Sequence, residues 1–296
     1  MTYIFIFNHK LATILRRKYD KKSFCRMGTK GSRDLVEARE LAADYSKFTQ
    51  LRSVAIAERT LDLSTIKWFY PTLLLPLGVF IKQNRDIALI LPKDKRVSSY
   101  FDIITRNNNS NKKGSYLPII EVPKARSGSE AELERLNSYA SDCGGTSALQ
   151  YFIGELVDNI YQHSRFSTAY ITAQKYPTLG FVEFCIVDNG ISIPQSYEDN
   201  GILIESDKVA LDYALKGIST KKDKERGCGM RTSIKLLTSG MNGTCLIVSR
   251  RAGLGANMTE GTATFNLDEE DIYYGTLISI SVPLQRETVE IYPFIE

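Results

Sequence analysis

The sequence predicts an α/β protein with two domains, and three observations favour this class. The chain has 296 residues, more than the roughly 100–200 that a single domain usually takes. Its composition, 43% hydrophobic and 24% charged, is typical of a folded globular protein. Short strand-like segments alternate with segments of helical spacing along most of the chain. We therefore expect a polar, locally helical extension over 1–45, a small α/β domain over 46–125 and a larger α/β sandwich over 126–296.

The elements of the small domain follow from local patterns. We expect "SVAIAE" and "TLDLST" to be strands, because apolar and β-branched residues alternate in them. The stretch "PTLLLPLGVFIKQN" is predicted as a loop leading into a helix, and "DIALILP" as a further strand. The segment "KDKRVSSYFDIITRN" has helical spacing, and the Asn- and Ser-rich residues 106–115 form a loop on composition.

The larger domain has clearer signals. A long amphipathic helix is predicted over "TSALQYFIGELVDNIYQHS", whose apolar residues recur at helical spacing. The alternating segments "AYITAQKY" and "GFVEFCIVDNG" predict two strands joined by the turn "PTLG". A helix at "DKVALDYALKG", a charged glycine-rich loop over 218–229 and a helix at "MRTSIKLLTSG" follow. The segments "GTCLIVSR", "GTATFNL" and "GTLISISVP" are predicted as strands.

Charge and cysteine content exclude several classes of protein. The net charge of +4, from 38 basic and 34 acidic residues, is too small to indicate nucleic-acid binding without a clustered basic face. Five cysteines without a C-x-x-C pair, together with two histidines, argue against a disulfide framework or a zinc site. We therefore expect a reducing, cytoplasmic location and no nucleic acid as a partner.

The N-terminus and the longest apolar run argue against a membrane protein. In the first twenty residues the basic cluster follows the short apolar run, whereas a signal peptide has the reverse order. The longest apolar run, over 68–81, is shorter than the roughly 20 residues of a membrane span, and two prolines interrupt it. We interpret this run as buried core and expect no membrane partner.

The long predicted helix carries the first group of candidate functional residues. Glu155 and Asn159 are four residues apart, so both side chains lie on one face of the helix, one turn from each other. An amide oxygen beside a carboxylate can hold a magnesium ion and polarise a water molecule. This pair therefore indicates a metal-dependent site.

Three further segments indicate nucleotide chemistry. Asp188 ends a predicted strand, where its carboxylate can accept a hydrogen bond from an exocyclic amine, and Gly190 lets a flat ring approach the backbone closely. Gly227 and Gly229 open a predicted helix, whose first N–H groups are suited to bind phosphate. Thr276 begins the last predicted strand.

The order of these segments resembles that of the GHKL ATPases, which include gyrase, heat-shock chaperones, histidine kinases and MutL. The resemblance covers about residues 145–285, where "ELVDNIYQHS" is similar to the N-box, "VDNGIS" to the first glycine box and "GCGMRTSIKLL" to the second. It implies a Bergerat-type α/β sandwich with a mixed sheet and a nucleotide pocket between sheet and helices. One residue departs from the pattern, because Ser192 stands where the first box usually has a second glycine.

The resemblance also implies a role for each candidate residue, with ATP and Mg²⁺ as cofactors. Glu155 would be the general base for water attacking the γ-phosphate, and Asn159 would hold Mg²⁺. Asp188 would bind the adenine amine, with Gly190 beside it and support from Thr276. The backbone amides of Gly227 and Gly229 would bind the phosphates. Residues 194–226 would form the nucleotide lid, from which Lys221 or Lys222 would add a positive charge.

The N-terminal half resembles, more loosely, the STAS fold of anti-sigma factor antagonists over about residues 50–110. The order of strand, loop, helix and strand carries this resemblance. The phosphoacceptor of that family lies at the start of the helix, where Thr72 falls, although Tyr70, Pro71 and Leu73 do not match the family's flanking residues. Thr72 is therefore a candidate phosphoacceptor or a residue that caps the helix.

Three functions stay open on the sequence. The first is an Mg-dependent GHKL ATPase that works as a signalling or conformational switch with a STAS-like regulatory domain. The second is an anti-sigma-type serine/threonine protein kinase in a partner-switching system. The third is a non-enzymatic nucleotide-binding scaffold. The first two imply a protein partner of the STAS-like or sigma/anti-sigma type, and many GHKL proteins form homodimers.

Overall fold

The computed structural model describes residues 37–105, 114–125, 130–144, 146–218, 229–284 and 288–294. Its helices are α1 Ala38–Glu58, α2 Pro71–Gln83, α3 Lys95–Thr105, α4 Glu130–Ser141, α5 Thr146–Asn159, α6 Ile193–Asp199, α7 Asp207–Leu215 and α8 Met230–Lys235. π-Helical turns, Ile160–Ser164 and Leu236–Gly240, continue α5 and α8. Short 3-10 turns lie at Glu269–Asp271 and Tyr292–Phe294. None of the described helices is both long and apolar enough to cross a bilayer.

The strands form two sheets of different size. They are β1 Thr60–Asp62, β2 Ala88–Ile90, β3 Tyr116–Glu121, β4 Ala169–Tyr176, β5 Phe181–Asp188, β6 Thr244–Arg250, β7 Ala252–Asn257, β8 Gly261–Asn266 and β9 Tyr273–Pro283. β1 and β2 pair in parallel, with α2 between them in sequence. The other seven strands form one sheet in the order β3-β4-β5-β9-β6-β7-β8.

The large sheet is antiparallel throughout its described pairings, so the predicted mixed sheet is wrong. Each of the six neighbouring pairs, from β3–β4 to β7–β8, runs antiparallel. Tight hairpins join β4 to β5, β6 to β7 and β7 to β8, and a hairpin turn requires antiparallel strands. The broader expectation, a protein of mixed α and β structure, is confirmed.

Helices cover both faces of this sheet, which gives three layers. Along β5, Val182, Phe184 and Ile186 join one apolar cluster, while Phe181, Cys185 and Val187 join the other. This alternation follows from the two-residue period of a strand. The first cluster contains side chains from α4, α5, α7 and α8, and the second contains side chains from α1, α2 and α3.

The described residues between 37 and 125 therefore share a core and a sheet with the second half. Helices α1 to α3 pack on the face of the sheet that α4 and α5 leave open. Strand β3, which lies before residue 126, pairs with β4 as an edge strand of the large sheet. One sheet and one apolar cluster thus cross the predicted domain boundary. The strand–helix–strand order at β1, α2 and β2 agrees with the elements predicted there, and the STAS resemblance stays a prediction.

Helix α1 differs from its prediction. The segment "SVAIAE" was expected to be a strand, yet it forms the last two turns of α1. No glycine or proline interrupts the helix over its 21 residues, and the chain leaves it only at Arg59, which adopts a left-handed φ of 54°. Alanine and glutamate favour the helix. Helix α1 begins at Ala38, so the end of the predicted 1–45 extension belongs to it, and residues 1–36 lie outside the described part of the chain.

Candidate functional site

Three neighbouring strand ends bring polar groups together at one edge of the large sheet. Asp188, the last residue of β5, lies opposite Thr276 of β9, and Thr276 lies opposite Ser249 of β6. Asp188 is 5% exposed and Thr276 is 9% exposed. The oxygen of the Ser249 side chain lies 3.3 Å from that of Thr276. Two of the residues singled out from the sequence, Asp188 and Thr276, thus form a buried polar pair.

Ser249 links this pair to the next segment of the chain. Its hydroxyl donates to the carbonyl oxygen of Gly275 over 3.0 Å and accepts from the backbone N–H of Ile193 over 2.9 Å. Ile193 is the first residue of α6. The sequence analysis missed Ser249, because its place depends on the pairing of β6 with β9, two strands separated by β7 and β8 in sequence.

Gly275 lies in a bulge of β9 that only glycine can form. The register passes from Arg250 opposite Tyr273 to Ser249 opposite Thr276, so β9 carries extra residues at this point. Gly275 has a φ of +113°, and a Cβ added to it would lie 2.0 Å from the carbonyl oxygen of Asp188. Any side chain would therefore separate the bulge from Asp188.

Gly190 joins the strand end to the helix that carries Glu155 and Asn159. A Cβ on Gly190 would lie 2.0 Å from the carbonyl oxygen of Ser164, the last residue of the π-turn after α5. The N–H of Ile191 donates to that same oxygen. The predicted first glycine box therefore packs directly on the C-terminal end of the predicted N-box helix.

Glu155 and Asn159 lie on α5, half-buried and one turn apart. Asn159 is the last α-helical residue, and the five residues that follow it form the π-helical turn. Such turns are rare and occur frequently at functional sites, since the extra residue redirects the side chains around it. The structure places this irregularity between Asn159 and the contact with Gly190.

Burial changes the acid–base chemistry of Asp188. Its removal from water raises the pKa of the carboxyl to about 7, against an ordinary value of 3.8, and the hydrogen bond from Gly190 N–H partly opposes this rise. The charged form is therefore poorly solvated, and any donor that reaches the carboxylate stabilises it. Perturbed carboxyls of this kind are enriched at functional sites.

The predicted second glycine box lies only partly within the described residues. Gly229 is the residue before α8, it is exposed, and a Cβ built on it would meet no neighbouring atom within 4 Å. Helix α8 contacts α7, and the π-turn that follows α8 contacts α5. Lys221, Lys222 and Gly227 lie outside the described residues.

The first part of the predicted lid is folded and held against the sheet. Residues 193–199 and 207–215 form α6 and α7. Helix α7 lies where a helix was predicted, whereas α6 stands in place of the loop that was expected from residue 194 onward. Arg250 forms ion pairs with Glu198 over 2.9 Å and with Asp207 over 3.4 Å, and Arg165 pairs with Asp199 over 3.0 Å.

Ser192, the residue that departs from the family's glycine pattern, has a structural role. It is the N-cap of α6, where its hydroxyl accepts a hydrogen bond from Gln195 N–H over 3.2 Å. Serine is among the preferred N-cap residues because its side chain satisfies an amide that the helix leaves unpaired. The departure from glycine therefore serves to start α6.

Thr72 lies on the opposite face of the sheet from this site. It is fully buried at the start of α2, where its hydroxyl and its backbone N–H both donate to Oε1 of Glu183, over 2.7 and 2.9 Å. Its hydroxyl also contacts that of Ser279. The helix cap is Tyr70, without a side-chain hydrogen bond, so the expected capping role is wrong. A kinase would have no access to the hydroxyl in this position.

The comparisons with known proteins find no match for this chain. No protein-family model matches the chain. The searches of curated proteins and of solved structures also find no match. The functional argument therefore rests on the site itself.

Proposed function

We propose that this protein binds ATP with Mg²⁺ at the edge where β5, β6 and β9 end, and that it hydrolyses ATP as a conformational switch of the GHKL type. The observation that carries the proposal is the buried pair of Asp188 and Thr276, packed beside the end of the helix that bears Glu155 and Asn159. The resemblance, which assigns these same segments to one nucleotide pocket, supports the proposal.

The chemistry of Asp188 supports adenine as the base. Its carboxylate has about four acceptor positions, and the N–H of Gly190 occupies one of them. The exocyclic amine of adenine is a donor, whereas guanine presents a carbonyl oxygen at the equivalent position, which would face the carboxylate with another acceptor. Thr276 lies opposite Asp188 and supplies a hydroxyl that can donate or accept.

The donor set of α5 suits magnesium that arrives with the nucleotide. The described residues contain no group of three or more His, Cys, Asp or Glu that could hold a metal by themselves. Mg²⁺ usually takes only one or two protein ligands and completes its shell with water and phosphate oxygens, whose charge it neutralises. The Asn159 amide oxygen fits this need, and Glu155, one turn away, would accept the proton of the attacking water.

The amides that open α8 after Gly229 are proposed to bind the phosphates, with Lys221, Lys222 and Gly227 as further candidates. The open space around Gly229 is compatible with a bound anion. The burial of Thr72 disfavours transfer of phosphate to this residue. We therefore favour an ATPase over a kinase that phosphorylates its own N-terminal half, and a protein partner stays a proposal.

Calorimetry with ATP and Mg²⁺ tests the binding step. We expect ATP to bind and to raise the melting temperature, since a ligand at 100 times its Kd adds about 2.7 kcal/mol to the free energy of unfolding. Asp188→Asn should abolish most of this effect, whereas Asp86→Asn, a change at an exposed carboxyl, should not. No heat of binding in the wild type, or equal binding of GTP, would contradict the proposal.

Phosphate release tests the reaction. Glu155→Gln should lower the rate of ATP hydrolysis by roughly 10²–10⁴-fold, the usual contribution of a general base, while ATP binding persists. Glu134→Gln, at an exposed position of the neighbouring helix α4, is the matched control. Equal rates for Glu155→Gln and the wild type would remove Glu155 from the mechanism.

A further inference from the structure

The bulge that presents Gly275 and Thr276 is held by the sheet mainly on its C-terminal side, because before the bulge only Tyr273 of β9 is paired, with Arg250 of β6. After the bulge, β9 pairs with both β5 and β6 from Thr276 onward. Within it, Tyr274 projects outward and is 79% exposed. The segment before the bulge, Glu269–Asp271, is a 3-10 turn rather than a strand. The position of this turn, and with it the start of the bulge, therefore depends on contacts from elsewhere in the molecule.

Helix α1 supplies these contacts from one of its faces. Tyr45, Thr49 and Arg52 are spaced so that they share that face. The hydroxyl of Tyr45 donates to the backbone oxygen of Asp271 over 2.7 Å, and the hydroxyl of Thr49 donates to the Asp271 side chain. The 3-10 turn is thus bound to the helix through both its backbone and its carboxylate.

Arg52 makes the contacts nearest to the bulge. Its Nη1 donates to the carbonyl oxygen of Ile272 over 3.0 Å, and its Nη2 donates to that of Glu270 over 2.7 Å. The guanidinium carbon lies 5.3 Å from the centre of the Phe48 ring. One planar group therefore fixes the orientation of two peptide groups, those of Glu270 and Ile272, in the segment that leads to Tyr273.

We infer that Arg52 is a positioning residue for the base-binding end of the proposed nucleotide site, an inference that rests on the proposed function. The sheet holds β9 from Thr276 onward and, through β6 alone, at Tyr273, and Arg52 holds the segment that leads up to Ile272. With both ends fixed, Gly275 stays against the backbone of Asp188, and Thr276 stays opposite Asp188 in the register of β9 and β5. Arg52 touches neither base nor phosphate.

Arg52 is the member of the α1 face that can be changed with the least damage to the core. Tyr45 and Thr49 are buried to 1% exposure, so truncating either would leave a cavity. Arg52 is only half-buried, and Arg52→Met keeps an apolar stem over Phe48 while it removes both donors. Arg52→Lys keeps the charge and restores part of the hydrogen bonding. Lys47→Met, at an exposed position of the same helix, is the matched control.

Amide hydrogen exchange tests the positioning without any nucleotide. In Arg52→Met we expect exchange at residues 273–277 to rise about tenfold, because hydrogen bonds from a charged donor contribute roughly an order of magnitude to an equilibrium constant. Exchange in β5 away from Asp188 should stay unchanged, and Arg52→Lys should be intermediate. Unchanged exchange at 273–277 would overturn the inference, whether or not the protein binds ATP.

Calorimetry with two ligands separates positioning from a general loss of structure. Arg52→Met should weaken Mg-ATP by about tenfold and leave the affinity for Mg²⁺ with inorganic triphosphate unchanged, since only ATP uses the base-binding end. Equal weakening of both ligands would show that Arg52 is merely structural, and equal affinity of wild type and Arg52→Met for ATP would also refute the inference. If the wild type binds neither ligand, the proposed function fails, and the exchange experiment still decides what Arg52 holds.

Discussion

A buried glutamate on the far side of the sheet makes the stability of the protein depend on pH. Glu183 lies in the middle of β5 with 1% of its surface exposed, under the start of α2. Burial, followed by the nearby Asp44 carboxylate, raises the pKa of Glu183 from an ordinary 4.5 to about 8, and the two bonds from Thr72 only partly oppose this. The carboxyl is therefore protonated in the folded protein at neutral pH and ionised in the unfolded chain.

The sign and the size of the effect follow from this difference. Below pH 4.5, Glu183 is protonated in both the folded and the unfolded state, and its contribution to the free energy of unfolding is fully present. This contribution is lost as the pH rises through 8, where Glu183 ionises in the folded state as well. A rise of about 3.5 in pKa, at about 1.4 kcal/mol for each unit, corresponds to ~5 kcal/mol, of which about 4 kcal/mol lies between pH 5 and 8.

Urea unfolding at pH 5, 6, 7 and 8 measures how the free energy of unfolding depends on the ionisation of Glu183. In Glu183→Gln, the amide oxygen can still accept from Thr72, but the group no longer titrates. We expect the free energy of unfolding of the wild type to fall relative to this variant by about 4 kcal/mol over that range. Asp188, whose pKa is also raised by burial, titrates in both proteins and cancels. Glu134→Gln should follow the wild type, and a difference between wild type and Glu183→Gln that stays constant with pH would refute the reasoning.

Three further predictions concern the proposed site. Ser249→Ala should lower the free energy of unfolding by about 1–3 kcal/mol, since a buried donor and acceptor lose their partner; exposed Ser239→Ala is the control, and a null effect in urea would contradict it. Gly275→Ala should lower the free energy of unfolding by about 3 kcal/mol. Gly261 also has a positive φ but has open space around it, so Gly261→Ala should lower the free energy of unfolding by only ~1 kcal/mol. Equal losses in the two variants would refute the close contact at Gly275. The affinity for Mg-ATP should rise about tenfold from pH 6 to pH 8 as Asp188 ionises, and calorimetry should find this rise absent in Asp188→Asn.

The elements that the sequence predicts well are those with a strong local period. Helix α5 and strands β5 and β9 lie where their apolar spacing puts them. Strand β7 was missed because "AGLGAN" has little to bury, yet Gly253 lies opposite Phe265, and a Cβ there would lie 2.3 Å from the Phe265 ring. That strand exists because a neighbouring aromatic ring covers its glycine, which no local pattern reveals.

Strand β3 was missed for a related reason. Its sequence contains Pro118, and proline cannot donate to the ladder of a central strand. The structure places β3 at the edge of the sheet, paired only with β4 among the described strands. At an edge a missing donor costs little, so the strand forms although its sequence reads as a break.

The candidate site shows the same division between local and nonlocal information. Asp188, Gly190 and Thr276 could be chosen from the sequence because each stands at the end of a strong strand pattern. Ser249 and Arg52 could not, since their roles depend on contacts with β9 and with the segment just before it, which follow them by more than twenty residues in sequence. Long-range pairing, rather than residue type, makes them part of the site.

The two central strands explain why the N-terminal helices and the proposed site belong to one structure. Strand β5 carries Glu183 toward α2 and Asp188 toward α5, and β9 carries Ser279 toward α2 and Thr276 toward the site. Removing the N-terminal helices would expose one whole face of apolar side chains on β5, β6 and β9. A stable soluble domain rarely exposes so large an apolar face. Helices α1, α2 and α3 are therefore needed for the sheet that positions Asp188 and Thr276.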